Sequence, residues 1–264
     1  MNDHDLTRRA ALADLVAVEA GDRLMAYFGR LAGFEHKGQV DLVTAADRAA
    51  EAHVRERLLS AFPGDSFLGE EGGDGPGGNL GPWRWIVDPL DGTTNFVHTY
   101  PVFAVSIALQ HQGRTVYGCV HAPALRETFR AVAGAGATLN GAPIRVSGTG
   151  QVSESLLATG APYNRRDIVD PLLRPIRRAI LSAHGLRREG SAAMDLAWLA
   201  AGRLDGYWEE GLHAWDVAAG ILLVEEAGGR VTSWDLGPHD LYRGPLLASN
   251  GRIHDQLPRV LFEG

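Results

Sequence analysis

The sequence predicts a layered α/β fold, and three observations carry that expectation. Short β-rich runs crowd into residues 83–146, separated by turns close enough for antiparallel hairpins. Helical periodicity precedes them. After Gly150 the texture changes, and helical stretches alternate with extended ones.

Element by element, the spacing predicts a helix over residues 6–28, where Leu6, Ala10, Ala13, Ala17, Ala20, Leu24 and Phe28 recur every three or four positions. A second helix is expected to begin at Thr44. Thr44 and Asp47 form a capping-box pattern ahead of the Ala50, Val54, Leu58 stripe, and Pro63-Gly64 ends the unit. Residues 72–82, rich in Gly and Pro, read as a mobile loop. They contain a literal G-x-G-x-x-G, Gly73 to Gly78, but Pro76 sits inside it and no helical pattern follows, so a dinucleotide fingerprint is rejected. Strands are expected over residues 85–87, 103–109, 115–120, 128–132 and 144–146. Residues 168–183, 190–201 and 217–227 read as helical, and 206–208 as extended.

The 264 residues, 45% hydrophobic and 22% charged, suffice for a sizeable core. They read as one domain over 1–264, antiparallel-rich to about residue 150 and α/β from about 151. A net charge of −7 argues against a general nucleic-acid binder. The single cysteine, Cys119, excludes an intrachain disulfide and a multi-cysteine zinc site. The N-terminal residues carry no signal-peptide pattern, and no apolar run approaches the ~18 residues of a membrane span. The expectation is a cytoplasmic protein with no membrane partner. All but one of the 25 basic residues are Arg, and the exception is Lys37.

The densest chemistry lies in Ile86-Val87-Asp88-Pro89-Leu90-Asp91-Gly92-Thr93-Thr94-Asn95. An apolar strand runs into a turn pinned by Pro89 and Gly92, which can aim Asp88 and Asp91 at one point. Two converged carboxylates repel unless a cation joins them, and hard oxygen ligands suit Mg²⁺. Gly92, Thr93 and Thr94 can expose backbone N–H groups at the start of a short helix, a seat for phosphate. Phe67-Leu68-Gly69-Glu70-Glu71 reads alone as a solvated strand end. Asp216, at the start of an Ala-rich helix, reads alone as an N-cap.

Taken together, the ordered set resembles the inositol monophosphatase family of Mg²⁺-dependent, lithium-sensitive sugar phosphatases, in its bacterial form. The set comprises Lys37 with Asp41-Leu42-Val43-Thr44 and Asp47, then Gly69-Glu70-Glu71, then Asp88 to Phe96. Leu139-Asn140-Gly141, Gly190-Ser191-Ala192-Ala193, and Glu209 with Trp215-Asp216 to Gly229 complete it. The resemblance implies a five-layer αβαβα sandwich, assembled as a homodimer. It implies that Glu70, Asp88 and the Leu90 carbonyl hold a first Mg²⁺, that Asp88, Asp91 and Asp216 hold a second, and that Glu70 holds a weaker third. A metal-activated water would attack without a phosphoenzyme, oriented and deprotonated by Thr93 with Asp47, with Glu70 beside it. Gly92, Thr93, Asp91, Ala192, Glu209 and Asp216 would bind the substrate, a small polyol phosphate such as myo-inositol 1-phosphate. Lys37 falls at a site-edge position. The helices starting near Thr93, Ser191 and Asp216 would point their N-termini at the phosphate.

Fold-mates differ in substrate. Histidinol-phosphate phosphatases usually replace the Gly-Ser-Ala-Ala helix start and lose the polyol-binding glutamate, and both features are intact here. Other sugar and nucleotide phosphatases of the fold, and a regulatory binding module, are the rival readings. A dead copy tends to lose a carboxylate, whereas Glu70, Asp88, Asp91 and Asp216 are all present.

Overall fold

The computed structural model describes residues 3–30, 35–36, 42–74, 81–161 and 169–263. Helix α1 (Asp3–Tyr27) leads through strands β1 (Glu35–His36) and β2 (Leu42–Val43) to α2 (Ala45–Ala61). Strands β3 (Ser66–Gly69), β4 (Gly73–Asp74) and the long β5 (Trp83–Asp91) follow, then the short helix α3 (Thr93–Val97). Strands β6 (Ala104–His111), β7 (Arg114–Ala122), β8 (Glu127–Val132), β9 (Gly136–Leu139) and β10 (Ala142–Ile144) form a meander. Beyond it come β11 (Leu156–Thr159), α4 (Val169–Ser182), β12 (Gly185–Arg187), α5 (Ala192–Ala200) and β13 (Gly206–Glu209). The last elements are α6 (Ala214–Glu226), β14 (Arg230–Thr232), β15 (Leu246–Ser249) and α7 (Leu257–Leu261).

The layers follow from which faces are apolar. The larger sheet has the order β10-β9-β8-β7-β6-β5-β3-β4, antiparallel except where β3 runs parallel to β5. Helices α1 and α2 cover one face of it, and α5 and α6 cover the other. Its central strands are therefore buried on both sides and read as unbroken apolar runs. The smaller sheet, β12-β11-β13-β15-β14, packs its inner face on α5 and α6 and its outer face on α4 and α7. The result is the five-layer αβαβα sandwich that the family resemblance implies. The α1 stripe from Leu6 to Leu24 and the α2 stripe Ala50, Val54, Leu58 are buried as their periodicity predicts. Leu24 and Leu58 each contribute roughly 1.5–3 kcal/mol by that burial. Phe28 falls just past α1, its ring 5.0 Å from Phe103. No described helix is long and apolar enough to cross a membrane.

Several expectations need correction. The Asp88–Asp91 segment is not a turn after the strand. β5 continues to Asp91, and its pairing with β6 slips between Asp88 and Asp91, a bulge that accommodates Pro89 where a regular ladder would need its missing N–H. Within the expected loop 72–82, Gly73 and Asp74 pair with β3, and residues 75–80 lie outside the described set. The strand expected at 144–146 ends at Ile144 and begins at Ala142. Helix α6 starts at Ala214 rather than Val217, because His213 caps it.

Candidate active site

The bulge of β5 is the centre of the site. Asp88 is buried, and its Oδ1 accepts from the Leu90 backbone N–H at 2.9 Å. Burial, then the carboxylates of Glu70, Asp91 and Asp216, hold Asp88 well above the usual carboxylate range. Glu70 is half-buried directly after β3, the strand paired in parallel with β5. The bland expectation of a solvated strand end therefore fails for Glu70, since β3 delivers it beside Asp88. Gly92 follows at φ +96°, a left-handed conformation that favours glycine, and starts α3 without any side-chain cap.

Thr93 and Asp47 meet across 46 positions of sequence. Thr93 Oγ1 lies 3.1 Å from Asp47 Oδ1 and 3.1 Å from the Leu90 carbonyl. It has one proton, so it donates to one of them at a time. Asp47 also closes the expected capping box. Its Oδ2 accepts from the Thr44 N–H at 2.9 Å and from Thr44 Oγ1 at 2.5 Å. Burial raises the Asp47 pKa, opposed by these hydrogen bonds. The cap and the Thr93 contact use different oxygens, so one rigid carboxylate serves both.

Asp91 joins β5 to the start of α5. Its Oδ2 accepts from Ser191 Oγ and from the Ala193 N–H, each at 2.6 Å. Burial and the Asp216 carboxylate push Asp91 up to about 7 against those bonds. Asp216 is not an N-cap. It stands at the third position of α6, and its Oδ2 accepts from the His213 N–H at 2.7 Å. Ser106 on β6 donates to the Trp215 carbonyl at 3.3 Å, tying the start of α6 to the large sheet. Gly220 lets α6 approach α5, since a Cβ there would lie 2.6 Å from that of Leu196. Asn95 Nδ2 donates to the Val102 and Glu189 carbonyls, each at 2.7 Å, tying α3 to the segment leading into α5.

A cavity of about 140 Å³ opens where these elements meet. Asp91, Gly92, Thr93, Ala192, Glu209 and Asp216 all line it, so six of the sequence-predicted site residues share one wall system. Asp88, Leu90, Asp47 and Glu70 are not in the lining: Asp47 and Leu90 touch Thr93, and Asp88 interacts electrostatically with Asp91 and Glu70. The starts of α3, α5 and α6 all reach the cavity, as the resemblance implies. Lys37 lies outside the described residues.

Glu209, the last residue of β13, is buried, and Tyr207 donates a hydrogen bond to its Oε2. Burial pushes Glu209 up to about 8, with Asp216 and Asp91 adding to the shift and Tyr207 and Arg188 opposing it. Gly160 leaves the space that the Glu209 carboxylate fills. Glu210 is half-buried beside it. Six cavity residues escaped sequence reasoning: Gly160, Ala161, Arg188, Asp195, Gly211 and Leu212. For Asp195 a signal existed, because it lies three residues after Ala192 and so on the same face of α5.

Glu70, Asp91 and Asp216 raise the proton affinity of Asp88, and Asp216 raises that of Asp91. Among the described residues, no group of three or more His, Cys, Asp or Glu is closed into metal-holding geometry.

The model of the inositol monophosphatase family matches residues 5–261 of this chain. A Synechocystis protein named inositol-1-monophosphatase is 44% identical over 97% of this chain and 90% of its own length. A Pseudomonas aeruginosa protein named Nus factor SuhB is 45% identical over 84% of this chain and 83% of its own. The structure of an inositol monophosphatase from Anabaena (Nostoc) superposes with a TM-score of 0.89 at 44% identity, covering 98% of this chain and 97% of that one.

Proposed function

The chain belongs to the inositol monophosphatase family, and from that premise we propose a Mg²⁺-dependent phosphomonoesterase that hydrolyses myo-inositol 1-phosphate or a similar small polyol phosphate without a phosphoenzyme. One observation carries the reading. A single cavity is lined by the repelling carboxylates Asp91 and Asp216, by Thr93 with Asp47 bonded to it, by the uncapped start of α3, and by Glu209.

The donor set fits a hard divalent cation. Asp88 sits among Glu70, Asp91 and Asp216, and among the described residues no basic side chain offsets its charge. Glu70, Asp88 and the Leu90 carbonyl would hold one Mg²⁺, and Asp88, Asp91 and Asp216 a second, with Glu70 available to a third. Bound Mg²⁺ supplies Lewis-acid polarisation of the phosphoryl oxygens and acidifies water.

The remaining work falls to this chain's own groups. Asp47 accepts the Thr93 hydrogen bond, leaving a Thr93 lone pair to accept from and orient the attacking water; as the water attacks, its proton passes to Thr93 Oγ1 and the Thr93 proton to Asp47. The Leu90 carbonyl is thereby released from Thr93 and keeps its lone pairs for the cation. N–H groups at the start of α3, which no side chain caps, receive the phosphate oxygens. Tyr207 fixes one Glu209 oxygen, so the other accepts from substrate hydroxyls. Assembly as a homodimer and a cytoplasmic location belong to the same reading, and sedimentation equilibrium tests the first.

The experiment is a phosphate-release panel at fixed Mg²⁺, comparing myo-inositol 1-phosphate, histidinol phosphate, fructose 1,6-bisphosphate and 3′-phosphoadenosine 5′-phosphate. The inositol phosphate should give the highest kcat/KM. A higher value for histidinol phosphate or for the nucleotide would overturn the substrate assignment.

A further inference from the structure

One hydroxyl at the start of α5 serves two partners. Ser191 is the N-cap of α5, and its Oγ accepts from the Met194 N–H at 3.3 Å. The same Oγ donates to Asp91 Oδ2 at 2.6 Å, across 100 positions of sequence. The Ala193 N–H reaches that oxygen too, also at 2.6 Å, and the Ala192 N–H faces the carboxylate. Capping does not account for the bond to Asp91. An N-cap needs only an acceptor, so the proton that Ser191 gives to Asp91 is surplus to that need. Ser191 is 2% exposed, which leaves little room for water to compete for either bond.

The bonds from Ser191 and Ala193 both fall on Oδ2. Oδ1 takes neither of them, and the Asp91 carboxylate lines the cavity together with Asp216. A free carboxylate turns about two side-chain torsions. Holding one oxygen at two points removes that freedom and fixes where the other oxygen stands.

We propose that Ser191 is a positioning residue for the divalent cation, whose hydroxyl pins Asp91 Oδ2 and so presents Oδ1 to Mg²⁺. The proposal rests on the Mg²⁺ reading above and adds to it a residue that acts through Asp91. Hydrogen-bond partners that orient a metal-binding carboxylate are worth roughly 10- to 100-fold in metal affinity.

The test removes the hydroxyl in two ways. Ser191→Ala loses it and leaves a poor N-cap, whereas Ser191→Gly loses it and leaves a nearly adequate one. Mg²⁺ binding is measured by isothermal titration calorimetry on EDTA-stripped, dialysed protein without substrate, and the melting temperature in EDTA reports the helix. Both variants should bind Mg²⁺ roughly 10- to 100-fold more weakly than the unmodified chain, by similar factors. The metal-free melting temperature should fall further in Ser191→Ala than in Ser191→Gly. The Mg²⁺ concentration for half-maximal phosphate release should rise in step, equally for myo-inositol 1-phosphate and p-nitrophenyl phosphate. Unchanged Mg²⁺ affinity in both variants would overturn the role of Ser191 while leaving the cation reading standing. Weaker binding in Ser191→Ala alone, following its melting temperature, would also overturn it and reduce Ser191 to a cap. An unmodified chain that binds no Mg²⁺ would overturn the cation reading and this inference together. Should Ser191→Ala fail to fold, Ser191→Gly decides by the same affinity ratio.

Discussion

Gly160→Ala tests what holds Glu209 in place. A Cβ built on Gly160 lies 1.9 Å from Glu209 Oε2 and 2.1 Å from both Oε1 and Cδ. Real Cβ atoms essentially never come under 3.0 Å, so the carboxylate must retreat by about 1 Å. The Gly160 backbone is not left-handed, so alanine meets no conformational penalty there. Glu209 has little room to move, because it is buried and Tyr207 holds its Oε2. Retreat breaks that bond and withdraws the acceptor from the cavity. The loss of one neutral hydrogen bond is worth roughly 0.5–1.5 kcal/mol, a fall in kcat/KM of about 2- to 13-fold for myo-inositol 1-phosphate. p-Nitrophenyl phosphate, with no hydroxyls to read, should keep its rate within roughly twofold. Glu209→Gln should lower the polyol rate in the same direction, and combining it with Gly160→Ala should add little, because both act on one carboxylate. Parallel losses on both substrates, or full polyol activity in Gly160→Ala, would refute this account of Glu209.

Asp91→Asn should abolish turnover on every substrate while the melting temperature in EDTA stays equal or rises, since one of two mutually repelling buried acids is gone; calorimetry and phosphate release check both halves. Thr93→Ala should lower kcat by roughly 100-fold or more with little change in phosphate affinity, because the backbone N–H groups remain. A rise in KM alone would instead make Thr93 a binding residue. Glu209 is raised to about 8, so its neutral form stabilises the fold fully below the unfolded value near 4.5, and that stability is lost as pH rises through about 8. Urea denaturation in EDTA should therefore show stability falling between about pH 4.5 and 8, with a shallower fall in Glu209→Gln.

Legibility in the sequence tracked how much of each element is specified locally. The α1 and α2 stripes were readable because one face is buried and period sets the face. The Asp88–Asn95 string was readable as a site because Pro, Gly and two acids in so short a span have few other uses. Its geometry was not, since the bulge arises from pairing with β6. Strands β9, β11, β12, β14 and β15 run only three or four residues and owe their state to tertiary pairing rather than to propensity. Helix α7 is similarly short. Asp216 looked like an N-cap because His213, the residue that fills that place, is an uncommon one. Glu70 and Asp47 looked like ordinary surface and capping acids, and only the family resemblance joined them to Asp88 and Thr93. Asp195 stayed hidden because an acid in a first turn already has a sufficient explanation in the helix dipole. Its place on the cavity wall appears only in three dimensions.

The central claim is that the acids around Asp88 serve a divalent cation in phosphoester hydrolysis. The most direct measurement is the rate of phosphate release from myo-inositol 1-phosphate as Mg²⁺ is titrated into EDTA-treated protein. No detectable turnover without Mg²⁺ and a saturable rise with it, absent in Asp91→Asn, is the predicted result. Turnover that persists undiminished in excess EDTA, or survives in Asp91→Asn, would contradict it.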